Sequence, residues 1–140
     1  MQKVFVDTNI VIDFLGKRNP FFESSFDLFH KALKKKISIY VSAASYSTIY
    51  YILSDKISHD KLMAAFEELE KYISIVDVNT QNIKDSVRSD FSDFEDAIQY
   101  YSALNEKDMK IIISRDRKGF KASKLPVMTA SEFLKTLSVN

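Results

Sequence analysis

Short runs of β-branched and other apolar residues alternate along this chain with longer segments of helical periodicity. The runs predict strands at residues 4–6, 37–41, 73–76, 109–114 and 127–128. Strands separated by helical segments form βαβ units, whose right-handed crossovers place helices on both faces of a parallel sheet. We therefore predict a three-layer α/β/α fold with a short parallel sheet of about five strands.

The chain length and the absence of linkers indicate one domain. The sequence has 140 residues, and typical domains contain roughly 100–150 residues, so we predict a single domain over residues 1–140. No stretch approaches the roughly 18 apolar residues of a membrane span, and no apolar signal segment follows Met1. These features predict a soluble protein of the cytoplasm with no membrane partner.

Composition excludes several classes of site. The chain has no cysteine, which excludes thiol nucleophiles, disulfides and thiolate metal sites. Its two glycines, Gly16 and Gly119, are too far apart for a Walker A loop or a dinucleotide-binding fingerprint. The net charge of +1 neither favours nor excludes nucleic acid as a partner.

Carboxylates follow two of the predicted strands and begin one of the predicted helices. Asp7 comes directly after the first strand, Asp116 follows the fourth strand closely, and Asp93 and Asp96 share one side of a helical first turn. Because the carboxyl ends of parallel strands meet at one edge, these side chains are expected to converge there. Clustered carboxylates suit Mg²⁺ or Mn²⁺, and such a site would support hydrolysis of a phosphodiester.

The same residues have a simpler interpretation. An Asp after a strand often caps a helix or forms a turn. The segment from Ser92 to Glu95 has the form of a capping box, so we expect Glu95 to cap its helix rather than bind metal. The agreement between the positions of several carboxylates, rather than any one of them, favours a metal site.

Three segments resemble the motifs of the PIN domain family. They are Val-Phe-Val-Asp-Thr-Asn-Ile at residues 4–10, Asp-Phe-Glu-Asp-Ala-Ile at residues 93–98, and Ile-Ile-Ile-Ser-Arg-Asp at residues 111–116, with Phe120 shortly after. They occur in the family's order and at fitting spacing across essentially the whole chain. The resemblance implies a parallel-sheet fold and Mg²⁺- or Mn²⁺-dependent nuclease activity, usually on RNA.

The resemblance also implies roles for individual residues. Asp7, Asp96 and Asp116 would be the catalytic metal ligands, with Asp93 as a supporting carboxylate at the metal. Ser114 would be a supporting polar group near them.

One position departs from the family pattern. Many members carry a Glu early in the helix after the second strand, and Thr48 stands there in this chain. A hydroxyl can hydrogen-bond a metal-bound water but supplies no negative charge, so Thr48 is predicted to be a supporting residue. The departure leaves an alternative open, in which the chain is a PIN-like module that binds RNA or a protein partner without cleaving it.

A basic stretch surrounds Asp116. Arg115, Arg117 and Lys118 are predicted to bind substrate phosphates, and Lys121 and Lys124 follow them. The alternative for each residue is an ordinary solvated loop position.

The resemblance extends to biological role. Stand-alone proteins of this size that resemble PIN domains are frequently toxins of bacterial type II toxin–antitoxin pairs of the VapC kind, which implies an RNA substrate, a cognate antitoxin protein and a homodimer. The aromatic surplus at Tyr46, Tyr50 and Tyr51 is also typical of an interface. A haloacid-dehalogenase-type phosphotransferase is less favoured, because it needs a second Asp where Asn9 stands.

Overall fold

A computed structural model describes residues 1–138 and contains five strands and seven helices within that range. Residues 139 and 140, which complete the predicted domain, lie outside the described residues. The strands are β1 (Gln2–Val6), β2 (Ile37–Ser42), β3 (Ile73–Val76), β4 (Ile112–Ile113) and β5 (Val127–Met128). The helices are α1 (Thr8–Leu15), α2 (Phe22–Leu33), α3 (Ala43–Leu53), α4 (His59–Leu69), α5 (Thr80–Val87), α6 (Phe94–Ala103) and α7 (Ala130–Ser138).

The five strands form one sheet in the order β3-β2-β1-β4-β5, and every neighbouring pair is parallel. With helices on both faces, this is the predicted three-layer α/β/α fold. The chain runs outward from β1 to β2 on one side and to β4 on the other, so the strand order reverses between β1 and β4. In open parallel sheets, ligands bind beyond the carboxyl ends of the strands at such a reversal point.

Both faces of the sheet are buried, and the side chains alternate between them. Val4 and Val6 contribute to one apolar core, whereas Phe5 contributes to the other. The larger core contains residues of α1, α2, α3, α4 and α7, and the smaller one includes Tyr100 of α6 and Phe120. Burial on two sides explains why the strands read as continuous apolar runs in the sequence. Within residues 1–138, no helix is long and apolar enough to cross a membrane.

The fourth strand is much shorter than its sequence predicts. Residues 109–114 have strong strand character, yet only Ile112–Ile113 form a strand. The chain leaves a turn in which Asp108 has a φ of 65°, so the residues after it are still entering the sheet. On the outer side the partner β5 is also two residues long, and it follows Pro126, which has no backbone N–H for a ladder.

The start of α6 also differs from the prediction. Asp93, not Ser92, is the N-cap, and its Oδ1 accepts a hydrogen bond from the Asp96 N–H at 2.9 Å. The predicted capping box of Ser92 and Glu95 is therefore wrong, because the neighbouring carboxylate satisfies that helix end. The last helix begins with a side-chain cap, since Thr129 Oγ1 accepts from the Glu132 N–H at 3.1 Å.

Candidate active site

Asp7 lies at the carboxyl end of β1 and is buried, with 4% of its surface exposed. It is the N-cap residue of α1, but its side chain makes no capping hydrogen bond. Instead, Ser114 Oγ donates to Asp7 Oδ2 at 2.6 Å, and Gln99 Nε2 donates to Asp7 Oδ1 at 2.9 Å. Burial raises the pKa of Asp7 above its usual value, and the hydrogen bonds from Ser114 and Gln99 oppose that rise.

Ser114 connects two of the predicted metal ligands. Its hydroxyl donates to Asp7 and at the same time accepts a hydrogen bond from the Asp116 backbone N–H at 2.9 Å. Ser114 itself is fully buried. The short side chain therefore links the ends of β1 and β4 where the strand order reverses.

Asp96 and Asp116 converge on Gly119. A Cβ atom added to Gly119 would lie 2.2 Å from Asp96 Oδ2 and 2.5 Å from Asp116 Oδ2. The two carboxylate oxygens are thus no farther apart than the sum of these distances, and both lie against the glycine. The Gly119 N–H also donates to Asp116 Oδ1 at 2.8 Å. Any side chain at position 119 would occupy the space that these oxygens share.

The carboxylates of this edge repel one another. The pKa of Asp96 is raised to about 7, first by burial and then by the charges of Asp7, Asp93, Asp116 and Glu95. The structure therefore brings together the four acids that the sequence singled out, from β1, the start of α6 and the segment after β4. A cation bound among them would relieve this repulsion.

Thr48 lies at the same edge and contacts a further acid. Its Oγ1 donates to Glu95 Oε2 at 2.7 Å, across from α3 to the first turn of α6. The charge of Glu95 contributes to the raised pKa of both Asp7 and Asp96. Position 48 of α3 has no acidic side chain of its own, but its hydroxyl hydrogen-bonds the carboxylate of Glu95 from α6.

The donor chemistry fits a hard divalent cation. All candidate ligands are carboxylate oxygens, which Mg²⁺ and Mn²⁺ prefer. Among residues 1–138, no group of three or more Asp, Glu or His side chains is arranged so that it could hold a metal ion. Mg²⁺ typically keeps several waters and takes one or two carboxylates, a number that Asp96 and Asp116 could supply together.

The predicted phosphate-binding residues have different surroundings. Arg115 is engaged by the fully buried Asp13, with Nε 2.7 Å from Oδ2 and Nη2 3.1 Å from Oδ1. The guanidinium carbon also lies 3.9 Å from the ring centroid of Phe21. Arg117 pairs with Glu132 of α7. Both arginines are therefore already paired with carboxylates.

Lys118 is exposed and lines a pocket of about 460 Å³ next to the acidic edge. Gly119 and Lys121 line the same pocket. Of the three predicted phosphate ligands, Lys118 is the one whose surroundings fit that role best.

A comparison with known families decides the classification. The profile of the PIN domain matches residues 3–118 of this chain. The chain belongs to the PIN domain family. The match spans the segments that contain Asp7, Thr48, Asp96 and Asp116, and it confirms the family that the sequence motifs indicated.

Known proteins similar to this PIN domain include a ribonuclease and a toxin–antitoxin complex. It is 29% identical over 137 residues to ribonuclease VapC1 of Aquifex aeolicus (strain VF5), covering 94% of this chain and 93% of that protein. Its fold matches VapBC2 from Rickettsia felis bound to a promoter DNA fragment, with a TM-score of 0.69 and 14% identity, over 91% of this chain and 98% of that one. It also matches a toxin–antitoxin complex from Klebsiella pneumoniae, with a TM-score of 0.61 and 22% identity, over 91% and 97% of the two chains.

Two site residues of this PIN domain were missed in the sequence. Gln99 is a fully buried polar residue on α6, three positions after Asp96 and therefore on the same helix face. Gly119 is one of only two glycines and lies three residues after Asp116. The helical spacing of Gln99 and the rarity of glycine are visible in the sequence, but neither shows which residues Gln99 and Gly119 contact in the fold.

Proposed function

We propose that this PIN domain is a metal-dependent endoribonuclease that hydrolyses RNA phosphodiester bonds and acts as the toxin of a type II toxin–antitoxin pair in the cytoplasm. One observation carries the proposal. The Asp96 and Asp116 carboxylates converge on Gly119 at the edge of the sheet where Asp7 is hydrogen-bonded by Ser114 and Gln99. The similarity to ribonuclease VapC1 supports the choice of RNA as substrate.

In this proposal Asp7, Asp96 and Asp116 hold Mg²⁺ or Mn²⁺, and Asp93 adds negative charge at the exposed rim. When bound, the cation would activate water and screen the charge that develops on phosphorus. Ser114 orients the Asp7 carboxylate through its 2.6 Å hydrogen bond. The chain's own residues therefore fix the acids in place before an ion or substrate arrives, which is what electrostatic preorganisation requires.

Substrate binding is assigned first to Lys118, with Lys121 beside it. Their pocket adjoins Gly119, so a phosphate held there would lie next to the acidic edge. Arg115 and Arg117 also flank Asp116 in the sequence, but their carboxylate partners reduce the charge that they can offer to RNA. We assign them a secondary role in substrate binding.

A cognate antitoxin and a homodimer complete the proposal. The name of one structural relative describes a toxin–antitoxin complex, which supports a protein partner. On α3, Tyr51 is 78% exposed and Ile52 is 41% exposed, whereas Tyr46 packs edge-on against Phe66 of α4. The exposed end of α3 is therefore the aromatic surface that we assign to an interface.

The test is RNA cleavage with and without Mn²⁺ by the wild type, Asp96→Asn and Asp116→Asn. The control is Asp55→Asn, which removes an exposed carboxylate after the C-terminus of α3. Cleavage that needs Mn²⁺, persists in the control and falls at least about 100-fold in the two site variants supports the proposal. Cleavage that is independent of both carboxylates contradicts it.

A non-catalytic binding module is the second candidate. The observation that favours it is Thr48, whose hydroxyl stands where many family members have an acid. Within residues 1–138 there is also no group of three or more Asp, Glu or His side chains that could hold a metal ion. RNA binding that survives chelation of metal, without cleavage at millimolar Mn²⁺, would favour this candidate over the nuclease.

A further inference from the structure

We propose that Gln99 is a positioning residue of the active site, whose side-chain amide fixes the orientation of the Asp7 carboxylate. The proposal rests on the proposed function, because Asp7 is there a metal ligand. It goes beyond it by assigning a role to a residue that lies outside the acidic motifs.

The amide of Gln99 uses both of its ends. It is fully buried on α6, and a buried amide requires hydrogen-bond partners. Its Nε2 donates to Asp7 Oδ1 at 2.9 Å, and its Oε1 accepts from the Thr8 backbone N–H at 3.1 Å. Ser45 Oγ of α3 lies 3.5 Å from the same Oε1. One side chain therefore connects α6 with the end of β1, the start of α1 and α3.

The backbone dictates which way the amide points. A backbone N–H can only donate, so the oxygen of Gln99 must face Thr8 and its NH₂ group must face Asp7. Thr8 is the first residue of α1, where N–H groups have no partner within the helix. In one orientation, the Gln99 amide therefore accepts from the Thr8 N–H and donates to the Asp7 carboxylate.

The opposite oxygen of Asp7 has a donor that is fixed in the same manner. The Asp116 backbone N–H donates to Ser114 Oγ, which leaves the hydroxyl hydrogen of Ser114 for Asp7 Oδ2. Each carboxylate oxygen of Asp7 thus accepts from a group whose polarity is set by a backbone N–H. Two such bonds define the plane of the carboxylate, and the remaining lone pairs are left for a ligand.

Positioning and packing make different predictions. A residue that only filled the core or capped α1 would affect stability, not the affinity of Asp7 for a cation. Hydrogen-bond partners of metal ligands typically change metal affinity by about 10–100-fold when they are removed. Affinity measured on folded protein is therefore the deciding quantity.

The test compares Gln99→Met with Ser102→Ala by Mn²⁺ calorimetry and by thermal unfolding in chelator. Methionine keeps the approximate size of glutamine but removes both hydrogen bonds. Ser102 is the matched control, since it is fully buried on the same helix and donates to the Gln99 carbonyl oxygen rather than to an acid. We expect Gln99→Met to weaken Mn²⁺ binding about 10–100-fold and Ser102→Ala to leave it unchanged.

Equal Mn²⁺ affinity in wild type and Gln99→Met would overturn the role of Gln99 alone. An equal loss in both variants would also overturn it, because general destabilisation would then explain the effect. Wild-type protein that binds no Mn²⁺ would overturn the proposed function and this inference with it.

A second measurement covers the case in which Gln99→Met does not fold. In the metal-free wild type, the Gln99 side-chain amide protons are observed by NMR and compared with those of Asp7→Asn. A charged acceptor makes a stronger hydrogen bond than a neutral one, so the bonded proton is expected to move upfield in the variant. Unchanged amide resonances would contradict the contact on which the proposal depends.

Discussion

Thr48 Oγ1 donates to Glu95 Oε2 at 2.7 Å, and this hydrogen bond joins α3 to the first turn of α6 at the acidic edge. The contact exists because Asp93 caps α6, which leaves the Glu95 side chain available to another helix. A position without an acid of its own thereby keeps a carboxylate close to Asp7 and Asp96, whose pKa values it raises.

Thr48→Val removes this hydrogen bond with little change in side-chain shape. We expect the free energy of unfolding to fall by about 1–2 kcal/mol, because a carboxylate loses a donor in a partly buried setting. RNA cleavage should fall less than in Asp96→Asn, since Glu95 is displaced rather than deleted. Ser47→Ala, at an exposed position of the same helix, is the control for both chemical denaturation and cleavage assays.

Gly119→Ala tests the convergence of Asp96 and Asp116. The added methyl group would lie well inside van der Waals distance of both carboxylates, so at least one of them must move. We expect Mn²⁺ affinity to fall at least about 10-fold, as for other changes that displace metal ligands. Gly16→Ala, at the end of α1, is a matched control, because its Cβ would lie 2.9 Å from the Ile12 carbonyl oxygen and from Leu53 Cδ2 rather than against a carboxylate. A variant at Gly119 that binds Mn²⁺ like the wild type would contradict the geometry.

The raised pKa of Asp96 predicts an unusual pH dependence of stability. The pKa of Asp96 is about 7 in the folded protein, against 3.8 for an unperturbed Asp. At a pH between these two values, the folded state therefore binds more protons than the unfolded chain does. Asp96 contributes fully to the free energy of unfolding below the pKa of the unfolded chain, and this contribution is lost as pH rises through about 7. Metal-free protein should therefore lose up to about 1.4 kcal/mol per pH unit from this group between pH 5 and 7.

Chemical denaturation in chelator at several pH values checks this dependence. Asp96→Asn should flatten the pH profile and should be more stable than the wild type at pH 8, because it removes the buried charge. Added Mn²⁺ should raise the free energy of unfolding of the wild type at pH 8, because the cation offsets the buried charge of Asp96. A wild-type protein whose metal-free stability rises steadily from pH 5 to pH 8 would refute the assignment.

Arg115 is expected to affect stability more than substrate binding. In Arg115→Ala the carboxylate of Asp13, whose side chain is 1% exposed, loses its partner inside the protein. Because the Arg115 side chain is 27% exposed, the pair is only partly buried, and we expect a destabilisation of about 1–3 kcal/mol. Lys118→Ala should instead weaken RNA binding without a stability change. The pattern would be reversed if Arg115 were mainly a phosphate ligand, as unfolding and RNA-binding titrations of the two variants would reveal.

The sequence predicted those parts of the fold that depend on local pattern. Continuous apolar strands and intervening helices led to the parallel sheet, and one acid directly after β1 and another closely after β4 led to its carboxyl edge. Local pattern is enough for such predictions because parallel strands buried on both faces read as continuous apolar runs, which differ from the helical periodicity of the segments between them.

The missing parts depend on contacts between distant segments. Asp7 and Gln99 are 92 residues apart, and Asp13 and Arg115 are 102 residues apart. Neither the orientation of the Asp7 carboxylate nor the neutralisation of Arg115 has a local signature. The shift of the α6 cap by one residue was a local ambiguity between two good capping residues, Ser92 and Asp93.

We propose that the acids at the carboxyl edge of the sheet form a divalent metal site. Calorimetric titration of Mn²⁺ into the wild type and Asp96→Asn tests it most directly. We expect saturable binding to the wild type and a loss of at least about 10-fold in affinity in the variant. Absence of binding to the wild type at millimolar Mn²⁺, or equal affinity in both proteins, would contradict it.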